Sequence, residues 1–134
     1  MSKLDTIEGI GPALSEKFAA AGIKTCDNLL EAGASKAGRA EIAEKAGVSE
    51  SQVLKFVNAA DLMRIKGVGG EYAELLECAG VDTVPELGQR NAENLTAKLA
   101  EINAEKKLVR ALPSESQVSE WVAQAKSLPK VVGH

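Results

Sequence analysis

Two glycine pairs, Gly9-Ile10-Gly11 and Gly67-Val68-Gly69, carry the clearest chemical signal in the sequence. Each has an isoleucine two residues upstream, Ile7 or Ile65, and is followed at once by an amphipathic segment. Glycines at this spacing let the backbone turn tightly and bare its amides. When a helix begins just afterwards, its first N–H groups lack partners inside the helix and lie at the positive end of its dipole. Amides so placed form a cradle for one oxyanion, a phosphate oxygen foremost. The candidate contact residues are Gly9, Gly11, Ser15 and Lys17 around the first pair, and Arg64, Lys66, Gly67 and Gly69 around the second. Pro12 pre-sets the first helix but removes one donor. Glu71 and Glu74 set carboxylates where a phosphate would be repelled, partly offset by Arg64 and Lys66. On the residues alone, each hairpin divides evenly between a phosphate contact and a purely structural turn.

Other reactive groups are few. The only histidine, His134, is the last residue of the sequence, where an imidazole is neither oriented nor shielded. Cys26 and Cys78 show no CxxC pairing and no metal-ligand spacing, and both lie in apolar stretches. They read as small buried hydrophobes in a reducing compartment. The sequence has no HExxH, GxSxG or GxxxxGK[ST] pattern, and its glycine pairs lack the third glycine and preceding strand of a dinucleotide site. No enzymatic activity, catalytic residue, metal site or cofactor is expected.

The elements that must position the hairpins follow from an internal repeat. Ile7-Glu8-Gly9-Ile10-Gly11 returns as Ile65-Lys66-Gly67-Val68-Gly69 at an offset of 58, with 8 identities in the 24 positions of 7–30 and 65–88. Ser49-Glu50-Ser51-Gln52-Val53 returns unchanged as Ser114-Glu115-Ser116-Gln117-Val118 at an offset of 65. The second copy therefore holds seven extra residues between its blocks, somewhere in 88–113. Ser49 with Gln52 forms a capping box, and Val53, Phe56, Val57 and Ala60 make an i, i+3, i+4 stripe matched by Val118, Trp121, Val122 and Ala125. Phe56 and Trp121 read as core anchors rather than stacking platforms for bases. Thr83 with Glu86 forms a second capping box, and Gly22 and Gly80 end the helices that follow the hairpins. The first hairpin is led by only Leu4-Asp5-Thr6, so a short turn is expected there. No segment alternates with period two for long enough to argue a strand. The expected fold is all-α, with tandem repeats at 1–63 and 64–134 packed as one compact helical domain.

Composition narrows the function classes. Aromatic residues are only 3% of the chain, which suits closely packed helices filled by Ala, Leu, Ile and Val. A net charge of −3 gives the whole chain no attractive field for nucleic acid, so any such contact must be local. The basic run Lys98, Lys106, Lys107 and Arg110 is interleaved with Glu101 and Glu105 and reads as a solvated helix face. No signal peptide and no apolar run long enough for a bilayer is present, so no membrane contact and a cytoplasmic address are expected.

The apolar-x-Gly-apolar-Gly pattern leading into a helix resembles the helix-hairpin-helix motif, here present twice. Proteins with this motif generally hold nucleic acid through its backbone, and two copies can grip both strands across the minor groove. The order of hairpin, helices, Ala60-Asp61-Leu62-Met63-Arg64-Ile65, second hairpin and Pro113-Ser114-capped helix with Trp121 resembles a family of bacterial proteins of unknown function. That resemblance implies the fold and no activity. Two functions are left to separate. One is a non-enzymatic module contacting nucleic-acid backbone weakly and without sequence preference; the other is a protein-interaction or scaffold module whose hairpins are only turns.

Overall fold

A computed structural model describes residues 3–133. Among them the chain forms eight α-helices and no strand, with one 3-10 turn at Leu4–Thr6 and an isolated backbone bridge between Lys3 and Thr25. The helices are α1 (Pro12–Ala20), α2 (Cys26–Ala32), α3 (Lys36–Ala46), α4 (Glu50–Leu62), α5 (Gly70–Cys78), α6 (Val84–Gly88), α7 (Ala92–Lys106) and α8 (Glu115–Ser127). Contacts divide the chain into two compact units: Met1–Asp61 with Val131–His134, and Leu62–Lys130. None of the described helices is long and apolar enough to cross a membrane.

Side-chain caps decide where most of these helices start. Thr25, Ser35, Ser49, Asn91 and Ser114 each accept a bond from the amide three residues on, at 3.0–3.1 Å. At Ser49 the bond is reciprocated by Gln52 Oε1 on the Ser49 amide at 3.5 Å, which completes the capping box. The box expected at Thr83 is displaced: Thr83 makes no side-chain cap, and Glu86 Oε2 accepts from the Asp82 amide at 2.9 Å instead.

The helices after the hairpins end alike. Gly22 (φ 87°) and Gly80 (φ 89°) occupy the left-handed position past the helix end. Gly22 N donates to Ala19 O at 3.0 Å and Ile23 N to Phe18 O at 2.8 Å; Gly80 N donates to Glu77 O and Val81 N to Leu76 O, both at 2.9 Å. These paired bonds are Schellman endings, which satisfy carbonyls the helix leaves open.

Each unit has its own core. In the first, α1 packs on α3, and Ile7, Phe18, Leu29, Val53, Phe56 and Val57 are buried, with Phe18 and Phe56 edge to face at 6.1 Å. In the second, α8 packs on α6 and α7, burying Leu75, Leu76, Leu87, Leu95, Leu99 and Trp121. The expectation that Phe56 and Trp121 anchor cores holds, at 4% and 1% exposure. Truncating Trp121 to Ala removes the largest fully buried side chain; a urea titration should show a loss of about 3–5 kcal/mol.

The two cysteines differ. Cys26 is buried and its Sγ donates to Lys3 O at 3.4 Å, whereas Cys78 is only half-buried. Burial pushes the Cys26 thiol above its ordinary value, more than the Thr6 hydroxyl beside it pulls it down. A raised folded value favours the protonated thiol. Its stabilising contribution is complete below the unfolded thiol's value and is lost as pH rises through the folded one. At pH 8 Cys26 should alkylate more slowly than Cys78, as mass spectrometry of partly labelled native protein would show.

Candidate nucleic-acid interface

Each hairpin is a four-residue turn plugged into a core by its apolar ends. Ile7 and Ile10 are buried and joined by Ile10 N to Ile7 O at 3.1 Å; Ile65 and Val68 are buried and joined by Val68 N to Ile65 O at 3.0 Å. The third residue of each turn, Gly9 (φ 94°) or Gly67 (φ 97°), lies in the left-handed region, as type II turns require at that position. These glycines also lie against a ring. A Cβ on Gly9 would come within 3.3 Å of Phe56 Cε1, and one on Gly67 within 3.0 Å of Trp121 Nε1. Both the turn and its seat therefore demand glycine.

The second glycine of each pair has a different role. Gly11 (φ −91°, ψ −174°) and Gly69 (φ −97°, ψ −171°) are the N-cap residues of α1 and α5, in extended backbone that any residue adopts. A Cβ on either would meet nothing within 4 Å, and both residues are exposed. Glycine here satisfies no packing need; its effect is to omit the capping side chain that five other helices carry. Among the described residues, the amides of Gly11, Ala13 and Leu14 at the first hairpin have no acceptor, nor do those of Gly69, Gly70, Glu71 and Tyr72 at the second. These are the groups that can receive an oxyanion.

The structure gathers only some of the expected residues at these openings. Gly9 and Gly11 share the first turn; Lys66, Gly67 and Gly69 share the second. The Lys66 backbone is held by Gln124, which accepts from its N–H at 2.9 Å and donates to its carbonyl at 3.3 Å, and the residue itself is exposed. Arg64 is turned to the Pro129 carbonyl, with Nη2 donating at 2.9 Å. Ser15 is half-buried and lines a concavity with Lys3, Asp5 and Lys24, and Lys17 falls in the last turn of α1. Ser15 closes the first turn of α1, its N–H donating to Gly11 O at 2.9 Å, while Lys17 lies beyond that turn.

One cation beside the second hairpin was assigned elsewhere from the sequence. α7 ends at Lys106, Lys107 takes a left-handed conformation (φ 51°), and Asn103 clasps Val109 through Nδ2 to its carbonyl at 3.1 Å and Oδ1 to its amide at 3.0 Å. This turns 109–111 onto the hairpin, where Tyr72 OH donates to Ala111 O at 2.8 Å. A concavity of about 410 Å3 results, lined by Gly67, Gly69, Gly70, Glu71 and Tyr72 on one side and Val109, Arg110 and Ala111 on the other. Arg110 thus stands off the helix face on which the sequence pattern placed it. The signal was present in the seven-residue insertion, which falls in this part of the chain. Glu71 faces the same concavity, so the opening holds one cation and one carboxylate.

A family model described as a domain of unknown function, DUF4332, matches residues 8–128. The chain belongs to that family. The matched span of this DUF4332 domain runs from the first hairpin to the residue after α8 and includes both glycine pairs. No curated protein and no solved structure matches it. Among the described residues of the DUF4332 domain, no group of three His, Cys, Asp or Glu side chains is placed to hold a metal ion.

The two glycine roles separate experimentally. Gly67→Ala forces a side chain into left-handed backbone at about 1–2 kcal/mol and against Trp121. Gly69→Ala enters open space at an N-cap and should cost less than about 1 kcal/mol. Thermal melts of the two variants should rank them in that order.

Proposed function

We propose that this DUF4332 domain is a non-enzymatic binding module that contacts nucleic-acid backbone through its two Gly-x-Gly hairpins. In this reading the chain is a tandem helix-hairpin-helix protein. The observation that carries it is the pair of glycine N-caps: five helices are closed by a side chain, while α1 and α5 present uncapped amides to solvent. Amide donors aimed at a phosphate read no base edge, so recognition is independent of sequence. The net charge of −3 and the Glu71 carboxylate keep the affinity low.

A protein partner is the second reading, favoured at the second hairpin by Glu71 in the first turn of α5 and by the engagement of Arg64 with Pro129. Fluorescence anisotropy with labelled duplex and single-stranded DNA across a salt series separates the two. The nucleic-acid reading expects a Kd of about 10⁻⁴–10⁻⁶ M that weakens as salt rises. Gly11→Glu and Gly69→Glu should each weaken binding while leaving the melting curve close to the parent's. Absence of binding at low salt by folded protein overturns the reading and leaves the protein partner.

A further inference from the structure

Residues 131–133 follow the second unit in sequence and yet belong to the first. Val132 is only 2% exposed. Gly133 N donates to Ala34 O at 2.8 Å, and Gly133 O accepts from Arg39 Nη2 at 2.7 Å. Arg39 Nη1 donates to Gly33 O at 2.9 Å and Ala34 O at 3.1 Å, the carbonyls that follow α2. Arg39 is itself 5% exposed. A guanidinium so placed must have its donors met, because an unmet buried donor carries the full cost of desolvation. Three carbonyls accept from three of its five N–H groups, and one of them comes from 94 residues away.

What the first unit holds is small and local: the N–H and C=O of Gly133, with the branched side chain of Val132 buried next to it in sequence. Main-chain bonds to an extended segment, with a pocket for one side chain, are how proteins capture peptides. Selectivity belongs to Val132 rather than Gly133, since a Cβ at 133 would find its nearest atom 3.6 Å away.

We propose that the surface formed by Arg39, Gly33 and Ala34 is a peptide-binding slot, and that its occupant is the chain's own segment 131–133, a detachable strap. The test is hydrogen–deuterium exchange on the full chain, on a chain ending at Lys130, and on full-length Val132→Asp and Arg39→Gln variants. The shortened chain should lose about tenfold protection across 26–46 while 70–127 stays protected. A synthetic peptide of residues 128–134 should restore protection to the shortened chain, and the same peptide with Val132→Asp should not. Full-length Val132→Asp should reproduce the truncation, and Arg39→Gln should speed exchange at 131–133. Unchanged protection across 26–46, failure of the peptide to restore it, or loss of protection in both units would each overturn the proposal.

Discussion

Both hairpins depend on a ring meeting a glycine. Ser49 and Ser114 start their helices by the same cap, and two turns later each helix delivers an aromatic side chain, Phe56 or Trp121, to the underside of a turn. The ring approaches so closely because Gly9 and Gly67 have no Cβ, and the turn closes because the same residues accept positive φ. One residue type answers both demands. With the apolar ends of each turn buried on either side, the outer residues are held in a fixed place without side-chain bonds of their own. The open helix starts at Gly11 and Gly69 follow from that seating, since the next residues enter α1 and α5 directly.

The two units share this device and differ in how they dress it. Gln124 brackets the Lys66 backbone in the second unit, while the repeat-equivalent position in the first is Ala59. Tyr72 reaches 111 and leans on Trp121 with ring centroids 5.3 Å apart; its counterpart, Leu14, has no hydroxyl to do so. The insertion gives the second hairpin a wall and a guanidinium, and Glu71 opposes that charge. The first hairpin carries Pro12 in its opening turn, so it offers one amide fewer. The two turns thus stand in distinct chemical surroundings.

Helices, caps and core anchors were legible in the sequence because they follow local rules. The Ser49 box, the Schellman glycines at 22 and 80, the short turn at Leu4–Thr6 and the burial of Phe56 and Trp121 each depend on residues within a few positions. The cations were harder. The sequence pattern makes Arg64 a candidate phosphate contact but gives no sign that its Nη2 donates to the Pro129 carbonyl, 65 residues away. Arg110 was read as part of a helix face, yet the left-handed Lys107 and the Asn103 clasp end that helix first. Left-handed backbone at a lysine has no sequence signature. Cys78 read as buried and is half-buried, a distinction that apolar neighbours alone do not make. The Arg39 contact was invisible for the same reason as that of Arg64: its partner is remote in the chain.

The Arg39–Gly133 contact also bears on how the molecule is made. Polypeptides emerge from the ribosome N-terminus first, and domains generally fold in that order. Here the unit whose residues appear first has one buried side chain, Val132, that follows the whole of the second unit in sequence. The second unit, Leu62–Lys130, is fully synthesised while the first still lacks a partner for one of its Arg39 donors. During translation the first unit is therefore completed only after the second, and the nascent chain carries a half-finished site through the synthesis of residues 62–130.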